Sequence, residues 1–293
     1  MELKLKNITK QYGEKKALDN FSLTFKPGIY GLLGPNGSGK STMMKIITDN
    51  ISPTKGEVFW DSTPILKMGD QYRSLLGYMP QQQGIYDNFT ARRFLWYMCA
   101  LKGIPKREIP KMVEQAAKKV NLYDVLDKKL GGFSGGMKQR VLIAQAILGD
   151  PKILIFDEPT AGLDPKERIR IRNLISEIAF DRIVIIATHV VPDIEFIAKK
   201  VVMLKSGVCY GCLPPSKWLK TAEGKVFEFP AREKDIPFIE KLFVVGNLRR
   251  DEKDTVWVRV VSDKKPKAPR LSVLPPTLED VYLYMFNDRG EKK

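Results

Sequence analysis

The sequence of 293 residues contains one histidine and three cysteines. Three cysteines are too few for the disulfide framework of a small secreted domain and are typical of a reducing compartment. No apolar run reaches the ~18–20 residues that a membrane-spanning helix needs. The first residues, MELKLKNITKQYG, also lack the apolar region of a signal peptide. These absences predict a globular protein that is made and kept in the cytosol.

The charge is strongly positive, and no lysine run resembles a nucleic-acid-binding arm. Lysine and arginine outnumber aspartate and glutamate 49 to 34, which leaves a net charge of +15. Such a charge favours an acidic partner, which could be a nucleotide, a nucleic acid or an anionic membrane surface. Charge alone leaves these three partners open. The length allows either one large core with an appendage or two domains.

A glycine-rich segment near the N-terminus has the pattern G-x-x-x-x-G-K-S. A short apolar strand over residues 29–33 precedes it, and a helix starting at Gly39–Lys40 follows it. Glycines let the backbone turn tightly, so that N–H groups point at phosphate oxygens, and the helix N-terminus adds partial positive charge. We expect Lys40 to neutralise the β- and γ-phosphates, Ser41 to bind Mg²⁺ and Thr42 to donate toward the α-phosphate. The pattern therefore predicts a nucleoside triphosphate site built from Gly34, Pro35, Asn36, Gly37, Ser38, Gly39, Lys40, Ser41 and Thr42.

A second segment, PKILIFDE at residues 151–158, supplies the acidic groups that such a loop requires. Residues 153–156 form an apolar run that is typical of a strand buried in a parallel sheet. Asp157 and Glu158 follow at its carboxyl end, where ligands bind in open α/β sheets. Two carboxylates there could be only a solvated strand end. After such a strand, the pattern favours Asp157 as a Mg²⁺ ligand and Glu158 as the base that orients and deprotonates water.

Between these segments, Ser134-Gly135-Gly136 opens an apolar helix. A serine N-cap followed by glycines is common in proteins and carries little information alone. Placed between the phosphate loop and the Asp-Glu strand, it resembles the ATP-binding subunits of ABC transporters. Their LSGGQ signature corresponds here to Phe133-Ser134-Gly135-Gly136-Met137. Phe133 in place of Leu and Met137 in place of Gln depart from that signature and bear on affinity more than on mechanism.

The resemblance covers about residues 1–215 and implies an α/β fold. The expected architecture is a P-loop NTPase core with an antiparallel β subdomain and an inserted helical subdomain at about residues 84–150. The resemblance also implies ATP and Mg²⁺ as ligands and ATP hydrolysis by Glu158 with Lys40. In this family the Ser-Gly-Gly segment contacts the ATP bound by a second subunit, so a dimer is implied, either of this chain or with a related one. Its partner would be a transmembrane permease at the cytoplasmic face of the membrane, and no nucleic acid is expected.

The remaining motifs of the family occur here in the same order. By resemblance, Tyr12 would stack on adenine, Gln81 would approach Mg²⁺ and the attacking water, and Asp164 would reach across the dimer interface. Gln82 and Gln83 are adjacent to Gln81 and leave the register of the glutamine open.

The single histidine, His189, follows an apolar strand at residues 183–187. A lone histidine at the end of an apolar run is more often a capped strand end or a core residue than a working group. The resemblance reverses this, since the family has its γ-phosphate histidine at the matching place. We therefore expect His189 to lie beside Asp157 and the phosphate loop, to donate to the γ-phosphate and to hold Glu158 and the water in line.

An aromatic and methionine stripe occurs in ARRFLWYMCALKGI, and a second helix is expected over EIPKMVEQAAKKVNLYDVL. Such a stripe is usually part of a core. In the family, part of this region lines a groove that receives a short helix from the membrane subunit. Core and docking groove remain open alternatives for Phe94, Leu95, Trp96, Met98 and Leu101.

The composition changes at a Pro-Pro pair, and residues 216–293 are predicted to form a small α+β appendage. Strands are expected at KVFEFP, VVGNLRR and TVWVRVVS, and helices at DIPFIEKLF and after Thr277, an N-cap with Asp280 three residues on. The tail PPTLEDVYLYMF is similar to that of ABC-2-type exporter ATPases, the drug, antibiotic and lantibiotic branch. Cys209 and Cys212 have C-x-x-C spacing, but zinc needs two more ligands, so we interpret them as two small apolar residues on a strand.

Several functions share these motifs, and the motor subunit of a membrane exporter is preferred. A ribosome-acting ATPase of the same superfamily would use the positive charge but normally carries two such domains in one chain. A chromosome or DNA-repair ATPase separates the phosphate loop from Ser-Gly-Gly by a long coiled coil, whereas a compact segment joins them here. An importer motor is a fourth alternative, but no solute-sensing domain is recognisable after residue 215. The substrate is not encoded, because these subunits do not touch it.

Overall fold

The computed structural model describes residues 1–81 and 84–287. The chain divides into two compact units, Met1–Cys212 and Leu213–Lys293. This division lies slightly before the expected limit at residue 215, because a helix that begins there belongs to the second unit. None of the helices within the described ranges has the length and apolarity needed to cross a membrane.

The first unit combines strands and helices. Its strands are β1 (Leu3–Tyr12), β2 (Lys15–Phe25), β3 (Gly28–Leu33), β4 (Lys55–Trp60), β5 (Thr63–Pro64), β6 (Leu76–Met79), β7 (Ile153–Asp157), β8 (Ile183–Ala187), β9 (Lys200–Lys205) and β10 (Val208–Leu213). Its helices are α1 (Lys40–Ile47), α2 (Ile65–Met68), α3 (Asp70–Ser74), α4 (Ala91–Leu101), α5 (Ile109–Lys119), α6 (Gly135–Ala146), α7 (Pro165–Ile178) and α8 (Val191–Ile197).

These strands form two sheets. An antiparallel sheet has the order β2-β1-β4-β5, and a second sheet has the order β10-β9-β3-β8-β7-β6. In the second sheet, β9, β3, β8, β7 and β6 run parallel. The apolar residues of β7 and β8 are fully buried, as expected for central strands that are covered on both faces. The predicted α/β P-loop NTPase core with an antiparallel β subdomain is confirmed.

One hydrophobic cluster contains residues of both sheets and of α1. Met43 and Ile47 of α1 are buried in it with Phe21 of β2 and Ile185 of β8. Full burial of each such side chain contributes ~1.5–3 kcal/mol of transfer free energy. Because α1 begins at Lys40, this packing fixes the loop before it at the carboxyl edge of the parallel sheet.

Helices α4, α5 and α6 pack against one another and form the inserted helical subdomain. Helix α5 is shorter than expected and ends at Lys119, because Asn121 adopts a φ of 55°. This left-handed conformation ends helices, and asparagine tolerates it. Helix α6 also contacts β6, where an ideal Cβ on Gly77 would lie 2.1 Å from Ala146 O. Glycine therefore permits the close approach of the helical subdomain to the sheet.

The second unit is a small α+β fold with the antiparallel sheet order β12-β13-β11-β14. Its elements are β11 (Val226–Ala231), β12 (Val244–Arg250), β13 (Val256–Val261), β14 (Ser272–Val273), α9 (Pro215–Thr221), α10 (Ile236–Leu242) and α11 (Leu278–Phe286). Helix α9 and strand β14 were not predicted. Helix α9 starts with Pro215 at its first position, which is a favourable start because proline lacks only an N–H that the helix would not use.

Helix α11 is anchored by Asp280, whose side chain is buried. Asp280 completes the predicted capping box with Thr277. Its carboxylate also accepts from Arg259 Nε at 2.9 Å and from Arg259 Nη2 at 2.6 Å. Burial disfavours ionisation of Asp280, but the hydrogen bonds from Arg259 and Thr277 outweigh burial and lower its pKa. An ion pair between the buried carboxylate of Asp280 and the partly buried Arg259 thus joins α11 to β13.

Candidate active site

The phosphate loop connects β3 to α1 and approaches the surrounding backbone closely. Gly37 and Gly39 adopt φ values of 77° and 108°, which residues with a Cβ rarely do. An ideal Cβ would lie 2.4 Å from Ala17 O at Gly39 and 2.0 Å from Leu204 O at Gly34. Glycine is therefore required at positions 34 and 39 for the loop to form a cradle lined by backbone.

Lys40 lies against this loop. Its Nζ donates to Gly34 O at 2.6 Å and to Pro35 O at 3.1 Å. Burial lowers the pKa of Lys40, and the nearby carboxylates of Glu158 and Asp157 act in the opposite direction. The predicted cation and the two predicted carboxylates are thus brought together at one edge of the sheet.

Ser38 carries a buried hydroxyl with no hydrogen-bond partner in the part of the chain that the structure describes. An unsatisfied buried hydroxyl costs ~1–3 kcal/mol, so it indicates a ligand that completes its bonding. Asn36 and Ser41 are exposed and Thr42 is half-buried at the start of α1. Together with Lys40 and the glycine backbone, these donors fit a chain of phosphates.

Asp157 ends β7 beside Ala187 of β8. Burial and the neighbouring Glu158 raise the pKa of Asp157 to about 6, and Lys40 opposes the shift. The negative charge of Asp157 and Glu158 is thus only partly offset by Lys40. Such a pair of carboxylates fits a site that receives a cation together with its ligand. With the hydroxyl of Ser41, it offers the oxygen ligands that Mg²⁺ prefers.

Glu158 has an unusual backbone conformation and a carboxylate that is bonded at both oxygens. Its φ is 53°, in the left-handed region, and its N–H donates to Ala187 O at 2.8 Å. Its Oε1 accepts from the His189 N–H at 3.0 Å and lies 2.9 Å from His189 Nδ1. Its Oε2 accepts from Thr188 Oγ1 at 2.9 Å. The turn at Glu158 therefore directs its carboxylate to the end of β8.

His189 is 73% exposed, so the alternative of a core histidine is wrong. Since Nδ1 is engaged by Glu158, Nε2 is the ring nitrogen that can contact a ligand. Thr188, a buried residue whose hydroxyl donates to the same carboxylate, was not predicted. Thr188 could have been noticed because it directly precedes His189 in the sequence. That position is informative only when Glu158 is known to lie beside His189.

Gln81 follows β6, which pairs in parallel with β7. Gln81 is exposed. It follows the carboxyl end of β6, at the edge of the sheet where Asp157 ends β7. Gln82 and Gln83, the alternatives for this position, lie outside the described residues.

Tyr12 ends β1 and is 49% exposed, and Lys10 Nζ lies 5.3 Å from its ring centroid. Lys15 pairs with Tyr12 across the hairpin, and an ideal Cβ on Gly37 would lie 3.8 Å from Lys15 Nζ. The hairpin therefore places Lys15 near the phosphate loop, with Tyr12 directly opposite Lys15 in the strand pairing. Lys15 was not predicted, because a lysine in a charged hairpin has no distinguishing pattern.

The Ser-Gly-Gly segment and Asp164 lie side by side. Ser134 caps α6 by accepting from the Met137 N–H at 3.3 Å, and Asp164 caps α7 by accepting from the Glu167 N–H at 3.0 Å. An ideal Cβ on Gly136 would lie 2.5 Å from Glu167 Oε2. Two helix N-termini with exposed caps thus share one surface.

Comparison with known proteins shows the family of this chain. Residues 18–161 match the family model described as "ABC transporter". The "Uncharacterized ABC transporter ATP-binding protein YxlF" of Bacillus subtilis (strain 168) is 35% identical over 206 residues, which are 70% of this chain and 68% of that protein. The chain belongs to the ABC transporter ATP-binding proteins. As an ABC protein it is an ATP-binding ATPase of the transporter class.

Other ABC proteins differ in how much of their length this chain covers. ABC transporter A family member 8 of Dictyostelium discoideum is 35% identical over 235 residues, which are 79% of this chain but 28% of that protein. The dimeric structure of the ATP-binding cassette MJ0796 in a post-hydrolysis state, bound to ADP and Pi, has a TM-score of 0.63 and 30% identity. It matches 72% of this chain and 98% of its own. The first unit therefore has the fold of an ABC ATPase cassette.

Proposed function

We propose that this ABC ATPase is the motor subunit of a membrane exporter and hydrolyses ATP between two ATP-binding subunits. The observation that carries the proposal is the convergence of Lys40, Asp157 and Glu158 at one sheet edge, with His189 in contact with Glu158. A cation for the phosphates, a metal ligand, a base and a donor are the groups that ATP hydrolysis requires.

The proposed binding roles are those that the family resemblance implies, and the positions of the side chains support them. Tyr12 stacks on adenine, Lys40 neutralises the β- and γ-phosphates, and Thr42 donates toward the α-phosphate. Mg²⁺, when bound, neutralises charge on the phosphate oxygens. The residues that would hold it are Ser41, Gln81 and Asp157.

The hydrolytic roles belong to Glu158 and His189. Glu158 accepts the proton of the attacking water, since its carboxylate is held in a fixed direction by Thr188 and His189. His189 donates from Nε2 to the γ-phosphate, where charge develops in the transition state.

The surface around Ser134 and Asp164 supports a site shared by two subunits. Two helix N-termini on one exposed surface attract an anion, and the γ-phosphate of ATP bound by the opposite subunit is such an anion. Ser134, Gly135, Gly136 and Asp164 would therefore act in trans. ATP then draws the two subunits together, and its hydrolysis releases them.

The helical subdomain supports docking to a transmembrane permease. The aromatic stripe divides, since Phe94 and Leu95 are buried core residues whereas Trp96 lines an open groove. Its walls are Phe89, Thr90, Arg92, Arg93, Trp96, Tyr97 and Ala100. Open apolar grooves of this kind receive amphipathic helices, so we propose that a short helix of the permease binds here at the cytoplasmic face of the membrane.

The direction of transport is proposed from the C-terminal tail, which is similar to that of ABC-2-type exporters. That branch exports drugs, antibiotics or peptides, and these are the proposed substrate classes. The permease carries the substrate, and no nucleic acid is needed for this function.

The variant Glu158→Gln tests the shared site. Its amide still hydrogen-bonds the water but cannot take a proton, so ATP binding should persist and turnover should be abolished. Size-exclusion chromatography with ATP should show a trapped dimer. Glu177→Gln, an exposed position on α7, is the matched control and should behave as wild type. A Glu158→Gln chain that stays monomeric at high concentration, or hydrolyses ATP normally, contradicts the proposal.

Replacement of Trp96 tests the docking groove. The wild-type chain should co-purify from membranes with an integral membrane protein identified by mass spectrometry, and Trp96→Glu should lose that partner while keeping its ATP binding. Phe180→Glu is the control, since Phe180 is an exposed aromatic residue outside the groove. Binding of the chain alone to bare anionic vesicles that survives high salt would point to direct lipid binding instead, since electrostatic attraction is screened.

A further inference from the structure

Asp193 has a buried carboxylate, and each of its two oxygens contacts a different residue of the segment 160–172. It is 5% exposed, and its Oδ2 accepts from Thr160 Oγ1 at 2.6 Å. Its Oδ1 lies 3.4 Å from Arg172 Nη1. Thr160 is itself buried, so this hydrogen bond is shielded from water and strong.

The positions of these partners connect two parts of the active site. Thr160 lies two residues after Glu158, and Arg172 lies on α7, which Asp164 caps. Asp193 lies in the first turn of α8, four residues after His189. The carboxylate therefore ties the stretch from Glu158 to α7 to the helix that follows His189.

A second contact between the same helices supports this link. The guanidinium of Arg172 lies 4.9 Å from the ring centroid of Phe196, on α8. Arg172 thus contacts α8 through both an ion pair and a cation–π interaction.

We propose that Asp193 is a positioning residue for ATP hydrolysis, which holds Glu158 and His189 in register and directs the segment that carries Asp164. This inference rests on the proposed function. The physical reason is that Glu158 occupies a left-handed backbone conformation, which persists only when the surrounding structure holds it. The hydrogen bond from Thr160 to Asp193 restrains the backbone immediately after that turn.

The single histidine of the chain allows a direct test. In an untagged chain, the ring Cε1–H resonance of His189 reports on its contact with Glu158 without any need for hydrolysis. Thr160→Val keeps the shape of the side chain and removes the donor, whereas Thr160→Ser keeps the hydroxyl. Ser176→Ala is the control, because Ser176 donates to Arg172 O on the exposed side of α7.

We expect Thr160→Val to shift the His189 resonance in the direction that Glu158→Gln shifts it, and to lower kcat about 10-fold or more, since misplacing a reacting group by ~1 Å costs ~10²-fold. The ADP dissociation constant should stay within about 2-fold, because the phosphate loop is not part of the network. Thr160→Ser should restore most of the rate and the wild-type resonance.

Two results would overturn the inference. One is an unshifted His189 resonance with normal kcat in folded Thr160→Val. The other is equal loss of kcat in Thr160→Val and Thr160→Ser. Failure of the proposed function has a different signature, namely a Glu158→Gln chain that forms no ATP-dependent dimer, and the resonance of His189 still decides the role of Asp193 in that case.

Discussion

His189 Nδ1 lies 2.9 Å from Glu158 Oε1, and the same oxygen accepts from the His189 backbone N–H at 3.0 Å. The two residues are 31 positions apart in sequence and meet because β7 and β8 are parallel neighbours. The proposed base therefore orients the proposed phosphate donor. Hydrolysis should depend on both nitrogens of one imidazole, each in a different contact.

Replacement of His189 should separate these two contacts. His189→Ala should lower turnover by ~10²–10³, the loss expected for a donor that stabilises transition-state charge. ADP affinity and the melting temperature should change little, since the side chain is 73% exposed. Asparagine can mimic Nδ1 and glutamine can mimic Nε2, so His189→Gln should recover more activity than His189→Asn if the phosphate contact dominates. A destabilised but catalytically normal His189→Ala protein would return the residue to a structural role.

Gly39→Ala should damage the phosphate loop. The new Cβ would lie 2.4 Å from Ala17 O at a φ of 108°, and backbone strain of this kind costs ~1–3 kcal/mol. We expect a lower melting temperature and at least ~10-fold weaker ATP binding, measured by calorimetry. Gly132→Ala is the matched control, because nothing lies within 4 Å of a Cβ there. Normal ATP affinity in Gly39→Ala would show that the loop can widen without loss of function.

A mixture of two inactive chains should regain activity if Ser134 acts in trans. Lys40→Ala removes the phosphate cation, and Ser134→Arg blocks the signature surface. In a mixed dimer, one composite site has both Lys40 and Ser134 intact, so ATPase activity should exceed that of either variant alone. The control mixture pairs Lys40→Ala with a chain that carries both changes, because this pair builds no intact site. If mixed dimers form and show no recovery, the signature works in cis or the natural partner is a different chain.

The ion pair between Asp280 and Arg259 should make the stability of the second unit depend on pH. Arg259 and Thr277 outweigh burial and lower the pKa of Asp280, so the folded state binds this proton less readily than the unfolded state. The contribution of ionised Asp280 to the free energy of unfolding is therefore complete above the unfolded pKa of about 3.9. It is lost as the pH falls from that value through the lower pKa of the folded state. Because Arg259 is 20% exposed, loss of this pair should cost ~1.5–3 kcal/mol, the range for hydrogen bonds to charged groups.

Urea unfolding at neutral pH and near pH 3.5 would check this dependence. Asp280→Asn should be less stable than wild type at neutral pH, and the gap should narrow at the acidic pH. Glu252→Gln, which replaces an exposed carboxylate in the turn between β12 and β13, should show no such change. A gap that is constant across this range would mean that Asp280 acts through packing and not through its charge.

Several features of the protein could be read from the sequence because their causes are local. The phosphate loop is a run of glycines before a helix, and the strand at 183–187 has the predicted bounds. The N-cap at Ser134 and the capping box of Thr277 with Asp280 also depend on residues within one turn. Hydrogen bonds and steric limits over three or four residues decide such features, so their patterns are visible in a single chain.

The arrangement of the proposed catalytic groups was decided by the tertiary structure. The contact between Glu158 and His189 needs the parallel pairing of two strands, and the bond between Thr160 and Asp193 joins positions 33 apart. The left-handed backbone conformation at position 158 could not be predicted, because a glutamate and not a glycine or asparagine occupies it. Sheet order and side-chain direction arise from packing between elements that are distant in the chain. No short segment of the sequence reveals which packing has the lowest free energy.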